Sequence, residues 1–181
     1  MWGMKEYLTQ AIVLGVRPIK ESDKLADLYT RDLGRIEARI IGGQKILSKL
    51  AQHLDLLNLV TVRLIEKNNF TVADIMSEEI FLGVKKDIES YRKARGVFSL
   101  IRSLLPKGVE DERLWQGLLR ALRENNFNSG LFLKLLGYDP VSASCFQCSS
   151  KKVNHFFLRD QSFLCSLCHK NLSNDEKISL N

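Results

Sequence analysis

Leu25-Ala26-Asp27-Leu28-Tyr29-Thr30-Arg31, a break at Gly34, then Arg35-Ile36-Glu37-Ala38-Arg39-Ile40-Ile41: apolar and polar residues alternate here over runs too short for helices. That pattern describes a strand with one face toward a core. Working outward, the same reading gives strands at Thr9 to Val16, Leu57 to Glu66 and Phe70 to Met76. Lys67-Asn68-Asn69 suits a tight hairpin, because asparagine tolerates positive φ. Between the third and fourth strands, in Gln44 to His53, residues Ile46, Leu47 and Leu50 recur at helical spacing and continue to Leu54. Five strands with a helix after the third follow the order of an OB-fold, an order shared with other small barrels. Met76 is assigned to the core.

From Glu79 the period changes. Ile80, Phe81, Val84, Ile88, Tyr91, Val97, Phe98, Ile101, Leu104 and Leu105 recur at steps of three and four before Pro106, which predicts one long amphipathic helix. A second helix from about Asp111 turns Leu114, Trp115, Leu118, Leu119 and Leu122 inward, and a third spans Asn128 to Leu136. Gly137 suits its C-cap and Pro140 a stop. The expected fold class is α+β and multidomain: an N-terminal OB-fold β-barrel over 1–78, an α-helical domain over 79–140, and an inserted or appended four-cysteine zinc element with the tail over 141–181.

All four cysteines lie in Cys145-x2-Cys148-x16-Cys165-x2-Cys168. This is two-knuckle metal spacing, with a hairpin of His155 to Leu158 and Phe163-Leu164 to bring the knuckles together. Four thiolates close a tetrahedron with no open position, so a bound zinc would be structural and could not activate water. Disulfides conflict with a reducing compartment, and a redox motif needs only one Cys-x2-Cys. Iron also accepts four thiolates, and spacing alone does not separate it from zinc. His155 and His169 read as ordinary surface or hairpin residues.

The longest apolar run, Ala11 to Val16, is too short for a secretory or membrane segment, so the cytoplasm is the expected location. The chain carries 27 basic and 21 acidic side chains, a formal +6, which falls to about +4 with a divalent ion on four thiolates. Residues 1–80 are balanced at 11 each, whereas 81–144 hold 11 basic against 7 acidic. The surplus therefore sits in the later part, and it suits nucleic acid or another anionic surface. Two basic clusters stand out: Arg31, Arg35, Arg39, Lys45 and Lys49 in the strand region, and Lys85, Lys86, Arg92, Lys93, Arg95, Arg102 and Lys107 in the helical region. Each could hold phosphates, or could equally be a solvated face. Gly42-Gly43-Gln44-Lys45 lacks the Walker spacing, and no deaminase element or triad can be assembled, so no enzyme activity or small-molecule substrate is expected.

The residues resemble a known family. Ala11-Ile12-Val13-Leu14, Asp23-x-Leu25, Thr30-x3-Gly34-x-Ile36-x-Ala38, Gly42-Gly43, Ser48, Phe132-x2-Leu135-Leu136-Gly137-Tyr138-x-Pro140 and the paired knuckles occur in the order of RecO, the bacterial recombination mediators. The resemblance implies an OB-fold, a central helical domain and a zinc element. It further implies binding of single- and double-stranded DNA, strand annealing, and work with RecR and single-strand binding protein to load RecA, at the bacterial nucleoid. The family's basic stretch falls on Gly42 to Lys49, with Gln44 where a basic residue is common. Gln161-Ser162 replaces the usual glycine before the third cysteine, and family members continue with helical sequence after the point where this one ends. A zinc-containing protein-interaction adaptor and an RNA-binding zinc-ribbon protein are the alternative readings.

Overall fold

The computed structural model describes residues 3–19, 22–42, 50–171 and 177–180. Five strands form a closed barrel: β1 (Lys5–Pro18), β2 (Lys24–Thr30), β3 (Gly34–Ile40), β4 (Leu59–Glu66) and β5 (Phe70–Glu79), ordered β1-β2-β3-β5-β4. β1 serves two neighbours. Its first part pairs antiparallel with β4 from Lys5↔Glu66 to Ile12↔Leu59, and its second with β2 from Ala11↔Thr30 to Pro18↔Lys24. An irregularity between Val13 and Gly15 lets it turn from one partner to the other. The barrel closes where β3 runs parallel to β5, through Ala38↔Phe70 and Arg39↔Thr71.

The strict alternation read in 35–41 is what β3 shows: Ile36, Ala38 and Ile40 point inward and Arg35, Glu37 and Arg39 outward. Ala11, Val13, Leu28, Val60, Val62, Leu64, Val72 and Ile75 complete the core. Met76 is not part of it; 62% of its surface is exposed. The pairing jumps from Leu64↔Val72 to Arg63↔Asp74, so β5 carries an extra residue at this point, and a second shift falls between Leu59 and Val60. A bulge inverts the side-chain parity beyond it, and Ile75 rather than Met76 turns inward. At Asn68 and Asn69 the hairpin forms with neither residue at positive φ. A 3-10 turn, Ala51–His53, precedes β4, and most of the helix expected from Gln44, including Ile46 and Leu47, lies outside the described residues.

Among the described residues, four α-helices follow: α1 (Leu82–Lys86), α2 (Ile88–Leu104), α3 (Glu112–Glu124) and α4 (Ser129–Leu135). The single long helix expected from Ile80 to Leu105 is thus two, split by Asp87, whose carboxylate accepts the Ser90 amide and caps α2. Ile88, expected inward, opens α2 with 86% of its surface bare. Leu114, Trp115, Leu118, Leu119 and Leu122 are buried as their spacing requires. Gly137, at φ 92°, ends α4. Among the described residues beyond α4, three short strands form a sheet of order β7-β6-β8: β6 (His155–Phe157), β7 (Ser162–Leu164) and β8 (Lys177–Ser179). Among the described residues, no helix is long and apolar enough to cross a membrane.

The chain divides into two compact units, 1–82 with 106–115, and 83–105 with 116–181. Residues 106–115, which the sequence places with the helices, therefore pack with the barrel. The physical reason is a close backbone approach at Gly34. This residue has φ 63°, and a Cβ there would stand 2.2 Å from the Val109 carbonyl oxygen. The segment is further fixed by Gly108 N–H donating to Arg35 O at 2.9 Å and Tyr29 O–H donating to Asp111 O at 2.9 Å. Burial holds the Tyr29 phenol well above its ordinary pKa.

Gly34→Ala is expected to lower stability by about 2 kcal/mol or more, because strain and overlap add. Gly108→Ala, with φ 74° but open space around it, should cost only about 1–2 kcal/mol. Urea unfolding followed by circular dichroism measures both, and the ranking should not invert.

Candidate metal centre and nucleic-acid interface

The four cysteine sulfurs lie within 4.8 Å of one another. Cys148 Sγ and Cys165 Sγ, one from each knuckle, are 3.7 Å apart. With metal–sulfur bonds of about 2.3 Å, the edge of a tetrahedron is about 3.8 Å, so the donor set fits a structural zinc. The first knuckle is folded by Ser149 N–H donating to Cys145 O and Cys145 N–H donating to Ser150 O, both at 2.8 Å. The β6–β7 hairpin, with His155↔Leu164 and Phe157↔Ser162 in register, brings the second knuckle to the first. Gln161, just before β7, adopts φ 49°, in the left-handed region that favours glycine, and Tyr138 O–H donates to its side-chain oxygen.

The thiols are electrically unequal. Burial opposes ionisation of Cys145, but the amides of Cys165, Cys148 and Gln147 outweigh it and bring the thiol down to about 6. The amides of Cys168 and Leu167 lower Cys165 in the same way. Each knuckle thus aims the amides of its third and fourth residues at its first sulfur. Hydrogen bonding from Cys165 and Cys148 pushes Cys168 up to about 12. Four thiolates this close repel one another, and a divalent cation is the natural relief. His155 and His169 stack with ring centroids 3.8 Å apart and planes 8° from parallel. The only signal for that contact was the position of His169 directly after Cys168.

The cationic candidates fall into two kinds. Arg35 donates from Nε and Nη2 to both Asp27 carboxylate oxygens, at 3.0 and 2.9 Å, and is 13% exposed. Arg39 is held by buried Asp23, which also accepts the Gly42 amide at 2.9 Å. That amide, together with Arg39, holds the Asp23 carboxyl below its ordinary pKa. Sequence reading missed both aspartates as partners: Asp27 lies on β2 opposite Glu37 and diagonal to Arg35, and Asp23 immediately precedes β2. Arg31 is exposed, with Glu112 at 3.8 Å. Lys45 and Lys49, with Gly43, Gln44 and Ser48, lie outside the described residues.

In the second unit, Lys86 and Arg95 are exposed and have no ion pair among the described residues, while Lys85 is half-buried. Arg92 and Lys93 both reach Glu89, at 2.8 and 3.6 Å, and remain largely in solvent. Arg102 is exposed, and Lys107, which packs with the barrel, pairs with Glu37.

Residues 4–80, essentially the barrel, match the family described as "Recombination protein O N terminal". A protein from Pelotomaculum thermopropionicum named "DNA repair protein RecO" is 30% identical, across 91% of this chain and 69% of the relative. The chain belongs to the RecO family. Proteins with the same name from Caldanaerobacter subterraneus subsp. tengcongensis and Syntrophobacter fumaroxidans are each 27% identical, across 85% and 80% of this chain. This RecO-family chain spans 67% and 62% of their respective lengths.

Arg35→Gln should destabilise the barrel by about 3 kcal/mol, because it leaves Asp27 buried without its cation. Arg92→Gln, at a surface pair, should stay within about 0.5 kcal/mol. For Asp23 the sign follows from its lowered pKa: its contribution is present above the ordinary carboxylate range and is lost as pH falls below it. Thermal melts of Asp23→Asn and wild type should therefore converge on acidification.

Proposed function

We propose that this chain is a non-enzymatic DNA-binding protein of recombination repair. It holds single- and double-stranded DNA, lets complementary strands anneal, and works with RecR and single-strand binding protein to load RecA, in the cytoplasm at the nucleoid. The observation that carries this reading is membership of a family whose relatives are named DNA repair proteins, together with a five-stranded barrel and exposed cations. We read the barrel as an OB-fold from its strand order and as the first of three functional parts, followed by a helical part and a zinc element.

Annealing needs a loose, sequence-blind grip, so that base pairing supplies the driving free energy. The two kinds of arginine divide that work. A phosphate recruiting Arg35 would have to break a bidentate, mostly buried pair, at a cost of several kcal/mol. A phosphate recruiting Arg92 or Lys93 displaces a solvent-exposed carboxylate worth about 0–1 kcal/mol. The phosphate contacts are therefore assigned to Lys85, Lys86, Arg92, Lys93, Arg95 and Arg31, and on the sequence alone to Lys45 and Lys49. Arg35 and Arg39 hold the barrel face that these residues flank in sequence.

We assign zinc to Cys145, Cys148, Cys165 and Cys168. When bound, it would cross-link the two knuckles with its coordination shell filled. Cys165→Ser should release the metal and expose residues 145–168 to limited proteolysis while leaving the barrel folded. Elemental analysis and mass mapping of the fragments check this, and iron in place of zinc would correct the metal.

Mixing complementary oligonucleotides without nucleotide should give faster annealing in the presence of the protein. If about five phosphates are neutralised on a single strand, log affinity should fall against log salt with a slope near −3.5. Lys86→Glu with Arg95→Glu should weaken binding to all sequences alike. A flat salt response with no strand binding would return the chain to a protein adaptor, and preference for RNA over matched DNA to an RNA-binding role.

A further inference from the structure

The two knuckles each present a large apolar side chain to solvent. Phe146, one residue past the first ligand position, is 76% exposed, and Leu167 in the second is 75% exposed. A ring that bare contributes nothing to the core around Cys145, Phe157, Leu164 and Cys165. Its backbone is nevertheless fixed, because Phe146 N–H donates to Phe163 O at 2.9 Å. An aromatic face held out from a rigid turn is what a nucleobase stacks on.

Beside the knuckles lies a cleft of about 670 Å³, walled by Val141, Val153 and Leu167 and edged by Lys151 and Lys152. No acidic side chain lines it among the described residues. Both lysines are exposed, and neither has an ion pair among the described residues. A zinc ion on four thiolates leaves the centre at −2 overall. The two ammonium groups offset that charge, and the amides aimed at Cys145 and Cys165 take up part of it, so the cleft does not repel an anion. The hydrogen bond from Cys145 N–H to Ser150 O closes a turn, with Phe146 the first residue inside it and Lys151 the first residue past it.

We propose that the zinc element is itself a contact site for single-stranded nucleic acid, with one base stacked on Phe146 and the adjoining phosphates held by Lys151 and Lys152. This rests on the DNA-binding reading above and adds a third contact region to the two basic clusters. An acidic peptide would use the lysines and the aliphatic cleft but gives Phe146 no partner, which is why a nucleic-acid strand is favoured.

The test uses the full chain and a fluorescein-labelled 20-mer of deoxythymidine, read by anisotropy. Phe146→Ala and Phe146→Leu should each weaken binding by about 10-fold, whereas Phe146→Trp retains it, because stacking and not mere apolarity is removed. Lys151→Glu with Lys152→Glu should flatten the salt slope by about 1.4. With an abasic oligonucleotide the Phe146 effect should vanish and the lysine effect persist. All these side chains are exposed, so metal content and circular dichroism should match wild type. Wild-type affinity in both the Phe146→Ala and the lysine variants overturns the proposal and leaves the DNA-binding reading standing. Displacement of the 20-mer by polyglutamate at equal charge overturns it as well. Failure of the wild type to bind the 20-mer sinks both.

Discussion

The barrel depends on a single strand hydrogen-bonding to two others. β1 is 14 residues long because its first half must satisfy β4 and its second half β2. A straight strand cannot face both neighbours in a closed sheet of five. The irregularity at Val13–Gly15 supplies the bend, and Ala11, Ile12, Val13 and Leu14 are all buried across it. Were β1 to slip by one residue, its inward set would turn to water and the core would lose Ala11 and Val13 together.

Charge is distributed in two tiers. On the barrel, Asp23 and Asp27 each take an arginine of β3, so those cations fasten neighbouring strands. On α2, Glu89 is shared by Arg92 and Lys93 at the exposed surface, where the pairing is weak. The same residue type thus serves as a strand fastener in one place and an exchangeable surface group in another. The difference lies in how much water reaches the pair.

Much of this was legible in the sequence, for identifiable reasons. The alternation of 35–41 gave β3 residue by residue, since a half-buried strand has no other way to be written. The cysteine spacing announced four converging sulfurs, because tetrahedral ligation tolerates few arrangements of chain. What stayed hidden were local events that leave the hydrophobic period intact. Val84 and Ile88 keep helical spacing straight through the break at Asp87, so only the capping carboxylate marks it. The extra residue in β5 is silent in composition, yet it decides which of Ile75 and Met76 is inside. Nor does a sequence show that Gly34 is required by the carbonyl of Val109, far along the chain.

That distant carbonyl bears on how the protein is born. β1 leaves the ribosome early but cannot complete its ladder until β4 has been made, and the parallel seam of β3 with β5 waits longer still. The piece around Val109 and Asp111 arrives last, after the chain has passed through α1 and α2. Contacts so far apart in sequence make closure slow. During translation the nascent barrel is therefore an open sheet with bare edges until β5 has emerged, a window in which edge pairing between neighbouring nascent chains competes with folding.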